Sequence, residues 1–106
     1  MNFIPVNEPL LNGNEKKYLN ECIDTGWISS EGPFIKRFEK DMANYVGRKY
    51  GVACANGSAA LDIAVRALDL QKGDEVIAPS FTIISSIQSL VTNGLKPILL
   101  DCDFST

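Results

Sequence analysis

From residue 50 onward the sequence follows one grammar, and nothing else in the chain constrains the fold as much. Short apolar runs alternate with amphipathic stretches of helical period. Residues 50–54 form the first run. Residues 58–70 then carry Leu61, Ala64, Val65 and Leu68 at helical spacing. Residues 75–78 form a second run, closed by Pro79. Residues 83–93 place Ile84, Ile87, Leu90 and Val91 on one face before Gly94, and residues 97–101 form a third run. Short, continuous apolar strands alternating with helices predict an α/β fold with a parallel sheet covered on both faces.

The first half reads differently. Asn14, followed by Glu15, Lys16 and Lys17, marks a helix start, and Tyr18, Leu19, Cys22 and Ile23 continue it as an apolar stripe up to Gly26. Residues 27–32 make a polar loop around the single tryptophan, Trp27. Pro33 suits a first helical turn. Phe34, Ile35, Phe38, Met42, Tyr45 and Val46 then mark a second amphipathic helix ending at Gly47. The expected division is two N-terminal helices and their loop in residues 1–48, followed by a β-α-β-α-β segment in residues 49–106.

Composition narrows the chemistry. With no histidine in 106 residues, Ser-His-Asp and Cys-His catalysis and all histidine-bound metal sites are excluded. Ten basic and thirteen acidic residues give a net charge of −3 without a block of either sign, so no nucleic-acid partner is expected. Cys22, Cys54 and Cys102 are odd in number and widely spaced, which fits reduced, mostly buried thiols rather than a disulfide framework. The N-terminus has no basic, apolar leader pattern, and residues 81–91 are too short and too hydroxylated to span a bilayer. A cytoplasmic location without a membrane partner is the expectation.

Ligands of open α/β folds bind beyond the carboxyl ends of the strands, where loops enter helix N-termini. The first such junction is Asn56-Gly57-Ser58-Ala59-Ala60. Small residues there let an anion approach free N–H groups, with the Ser58 hydroxyl as a further donor; equally, Asn56 or Ser58 is simply a helix cap. The second junction is Pro79-Ser80-Phe81-Thr82. Its Phe81 either stacks on a planar ligand at the rim or folds into the core above a Thr82 cap. Trp27 in the third candidate loop lines a pocket, joins an interface or covers a core edge. Asp101 and Asp103 form a Mg²⁺ or acid/base pair, or are solvated loop residues. Neither a Walker A lysine motif nor GxGxxG occurs.

These segments, in order, resemble a known family. Gly26-Trp27-Ile28-Ser29-Ser30-Glu31-Gly32-Pro33 is followed by Phe38-Glu39 and by Asn56-Gly57-Ser58-Ala59-Ala60-Leu61. Gly73 to Thr82, then Lys96-Pro97 and Asp101, complete the series. Together they are similar to the N-terminal part of the pyridoxal-phosphate-dependent sugar aminotransferases, the DegT/DnrJ/EryC1/StrS family, with the opening segment most similar to its GDP-perosamine synthase branch. The resemblance implies a fold type I aminotransferase, usually homodimeric, with pyridoxal 5'-phosphate as cofactor. It also implies a nucleotide-linked keto-deoxy sugar as substrate and an amino donor such as glutamate. The backbone at Gly57, Ser58 and Ala59 would hold the cofactor phosphate, Phe81 would stack on its ring, and Trp27, Ser29 and Ser30 would border the sugar-nucleotide site.

The family's enzymes are several times longer than this chain. Lys16, Lys17, Lys36, Lys40, Lys49, Lys72 and Lys96 do not match the motif of the lysine that holds the cofactor covalently. The chain therefore reads as cut, and by itself as inactive and marginally stable. In this fold type the first strand lies apart from the next two, so residues 50–54 would lack neighbours while the later strands could still pair. Two other functions are carried forward, a phosphate-ligand-binding module and a docking subunit.

Overall fold

The computed structural model describes residues 3–103. The chain divides into two compact units, Met1–Gly51 and Val52–Thr106.

The first unit is a pair of helices, α1 (Glu15–Thr25) and α2 (Pro33–Tyr45). The Glu15 carboxylate accepts the Gly13 N–H at 2.9 Å, so an acidic side chain in the first turn satisfies a donor just ahead of α1. Gly26 ends that helix in the left-handed conformation, φ 75°, with its N–H on the Ile23 carbonyl. Pro33 opens α2, where its missing N–H costs no helical bond. Tyr18 of α1 meets Phe34 of α2 at a ring separation of 5.3 Å, and the Arg37 guanidinium lies 5.4 Å over the Tyr18 ring. Ala43 is the buried residue of α2. Gly51 lies so close to the Glu39 carbonyl that a side chain there would collide with backbone.

The second unit contains α3 (Gly57–Arg66), β1 (Glu75–Pro79), α4 (Ile84–Thr92) and β2 (Lys96–Leu100). The two strands pair in parallel, with Val76 beside Pro97, Ile77 beside Ile98 and Ala78 beside Leu99. Flanking bonds from Gly73 N–H to the Gly94 carbonyl and from Ser80 N–H to the Leu100 carbonyl extend the ladder at both ends. Ala78, Leu90 and Leu95 form the buried core, with Val65, Val76 and Ile87 packed around it. Ile77, which alternates to the other side of β1, is exposed. Among the regular elements α3 lies along α4, and α4 packs on both strands.

The α/β class and the parallel sheet agree with the sequence reading, but the β-α-β-α-β order needs correction. Among the described residues, 50–54 form no strand and the sheet has two strands where three were expected. A strand is defined by its ladder, and the ladder among the described residues runs between β1 and β2. The helix expected over residues 58–70 ends at Arg66; a turn follows, with Asp69 at φ 53°. Cys22 and Cys54 are half-buried and Cys102 is exposed; all three are free thiols, not the mostly buried ones expected. No described helix is long and apolar enough to cross a membrane.

Candidate functional site

In the second unit, the start of α3 shows how the glycine-serine junction folds. Asn56 is extended, and its Oδ1 accepts the Ala59 N–H at 2.9 Å. Its carbonyl accepts the Ala60 N–H at 3.1 Å. A short amide side chain at this position is what an N-cap requires. Those two bonds leave the Gly57 and Ser58 N–H groups with no acceptor among the described residues, and both residues are exposed. A Cβ placed on Gly57 would meet nothing within 4 Å. Two free donors and a hydroxyl at the positive end of a ten-residue helix can hold one tetrahedral anion. Ala59 lines the same region, but its N–H is already engaged.

A cleft of about 370 Å³ opens beside this turn, between α3 and α4. Ser58, Ala59 and Asp62 line it from α3, and Ser85, Gln88 and Ser89 from α4. Asp62, Ser85 and Gln88 escaped the sequence reading, because nothing in the local pattern separates them from solvated helix positions. Phe81 follows β1 and is 91% exposed, which removes the alternative of a ring folded into the core. Thr82 does not cap α4 either: Ile83 holds that position, and Thr82 Oγ1 lies 3.4 Å from Ser86 Oγ. Asp101 accepts the Cys102 N–H at 2.9 Å, a local bond that fits the loop reading. Among the described residues no three acidic or cysteine side chains gather as metal ligands.

In the first unit, Trp27 is half exposed and lies against Gly32, where an added Cβ would stand 3.3 Å from the indole. Absence of a side chain at Gly32 thus lets the ring settle over the loop. Trp27 and Ser30 border a cavity of about 590 Å³ together with Glu31, Lys36 and Glu39. Ser29 borders a neighbouring hollow of about 320 Å³, again with Trp27. The three loop residues expected at a substrate site therefore line two hollows that have Trp27 in common. Arg37 is held above its ordinary pKa by its hydrogen bond to Tyr18 and then by Asp41, so it stays a cation throughout the working range.

Residues 9–106 match the model of the DegT/DnrJ/EryC1/StrS aminotransferase family. The chain belongs to that family. It is 46% identical over 100 residues to the GDP-perosamine synthase of Vibrio cholerae, covering 94% of this chain and 27% of that protein. Among solved structures, the aminotransferase from Psychrobacter cryohalolentis superposes with a TM-score of 0.81 at 34% identity, over 90% of this chain and 24% of the other. The E. coli GDP-4-keto-6-deoxy-D-mannose-3-dehydratase with bound hydrated PLP gives 0.82 at 28% identity, over 93% and 27%. This family member thus spans about a quarter of the length of each of these relatives.

Proposed function

We propose that this chain supplies the cofactor-phosphate seat and one wall of the substrate site of a pyridoxal-phosphate-dependent enzyme. In this reading the enzyme transfers an amino group, commonly from glutamate, to a keto carbon of a nucleotide-linked deoxy sugar. The observation that carries the reading is the pair of free N–H donors at Gly57 and Ser58, within a segment matched by the family model. The name of the Vibrio relative and the PLP bound in the E. coli structure support the substrate class and the cofactor.

Bound pyridoxal 5'-phosphate supplies an electron-withdrawing ring that carries the amino group between donor and acceptor. The chain's own residues anchor and orient it. Gly57 N–H, Ser58 N–H and the Ser58 hydroxyl donate to the phosphate, and Asn56 keeps the turn shaped so that these donors point outward. Phe81, exposed at the end of β1, offers an aromatic face to the ring. Trp27, Ser29 and Ser30, which line hollows of the first unit, would border the sugar nucleotide. No lysine of the chain matches the family's cofactor-holding motif, so residues 1–106 alone are expected to bind without turning over. Ile77, exposed on the sheet side opposite α4, supports a larger assembly, a homo-oligomer or a pairing with further chain.

Equilibrium dialysis of the protein as its native source makes it, with PLP and with pyridoxal, tests the phosphate seat. PLP should bind more tightly than pyridoxal, and Ser58→Ala should erase much of the difference. Equal binding of the two by the native sequence would overturn the reading.

A further inference from the structure

The cleft beside the phosphate seat holds a carboxylate, which on electrostatic grounds is a poor neighbour for a phosphate. Asp62 lies on α3 one turn beyond Ser58 and lines the same cleft. Both of its oxygens are engaged. Oδ1 accepts from Asn93 Nδ2 at 2.6 Å, across 31 residues of sequence, and Oδ2 pairs with Arg66 Nε at 3.1 Å. Asn93 also donates to the Ser89 carbonyl at 2.7 Å, and the buried Ser89 hydroxyl donates to the Ser86 carbonyl at 3.0 Å. The amide of Asn93 is thereby fixed to the end of α4 before it reaches Asp62.

The placement of α3 gives this bond its consequence. The helix lies along α4, and its Val65 joins the core of Ala78, Leu90 and Leu95, so α4 is the element that does most to set its position. Apolar contact at Val65 holds it laterally but leaves sliding and rotation weakly specified, because burial is non-directional. A short, charge-assisted hydrogen bond fixes direction as well as distance. We propose that Asp62 and Asn93 are positioning residues for the phosphate seat: they lock the register of α3 against α4, and so place the Gly57 and Ser58 donors. The Arg66 guanidinium on the other oxygen offsets the charge of the one carboxylate that lines this cleft. The inference rests on the phosphate-seat reading given above.

The test measures PLP and pyridoxal dissociation constants on the natively produced protein for Asp62→Ala, Asn93→Ala, Asp62→Asn and Ser58→Ala. Loss of one directional tie in a phosphate seat corresponds to a weakening of about tenfold. Asp62→Ala and Asn93→Ala should each weaken PLP by that factor and leave pyridoxal unchanged. Asp62→Asn, which keeps a carbonyl acceptor for Asn93, should restore PLP binding. A purely structural role would weaken both ligands together, and that result would overturn the proposal. Should Asp62→Ala not fold, Asn93→Ala carries the same test. Ser58→Ala separates the two levels: if it weakens PLP while Asp62→Ala and Asn93→Ala do not, only the positioning role fails. If Ser58→Ala itself is silent, the seat fails and the positioning role with it.

Discussion

Gly57→Ala separates folding from ligand binding more sharply than any other single change in this chain. Gly57 opens α3, its φ lies outside the left-handed region, and a Cβ built on it meets nothing within 4 Å. The folded protein therefore has no steric reason to resist the methyl group. A glycine replaced by alanine in a compatible conformation gains about 0.4–1 kcal/mol, mainly because the unfolded chain has less freedom to lose. Urea denaturation should accordingly show a midpoint that is unchanged or raised. The phosphate seat responds in the opposite sense, since the anion must approach the Gly57 and Ser58 N–H groups closely. Compromising one hydrogen bond to a charged group costs about 1.5–3 kcal/mol, or roughly a ten- to hundredfold weaker PLP complex. A lowered urea midpoint would refute the open geometry at Gly57. An unchanged PLP affinity would refute a close approach of the phosphate to the Gly57 backbone.

Three further outcomes follow from the same structure. Gly51→Ala should destabilise the first unit by about 1–2 kcal/mol, because overpacking against fixed backbone outweighs the entropic gain of alanine; a urea midpoint at or above the native one would count against the close approach to Glu39. Asn56→Ala should cost about 1 kcal/mol of stability through the lost cap on Ala59, read by the same denaturation, and no loss would mean that the cap contributes nothing. Residues 1–106 produced alone should release no amino-sugar product when supplied with PLP, glutamate and a nucleotide-linked keto sugar; any turnover would show that the family's covalent lysine is dispensable here.

The parts of this molecule legible in its sequence are those fixed by neighbours a few residues away. Helical spacing and the terminators Gly26, Pro33 and Gly94 locate the four helices among the described residues, because a helix satisfies most of its backbone internally. The Asn56 cap was legible for the same reason, as one of two candidates resolved by a single bond to Ala59. Residues 50–54 show the limit. Their apolar run is strand-like, but strand pairing is decided by residues distant in sequence, and the ladder among the described residues is that of β1 with β2. Asp62 and Asn93 were illegible because their meaning lies in a contact spanning 31 residues. In the sequence each is an ordinary polar residue on a helix or at its end.

Amino transfer itself is most directly tested with isotope-labelled glutamate nitrogen. The natively produced protein, loaded with PLP and given a nucleotide-linked keto-deoxy sugar, should place that label in the sugar nucleotide, as read by mass spectrometry. Ser58→Ala should slow the incorporation at limiting PLP. Tight PLP binding without any label in the sugar would contradict the account, leaving this chain with a phosphate-binding site and no transaminase to serve.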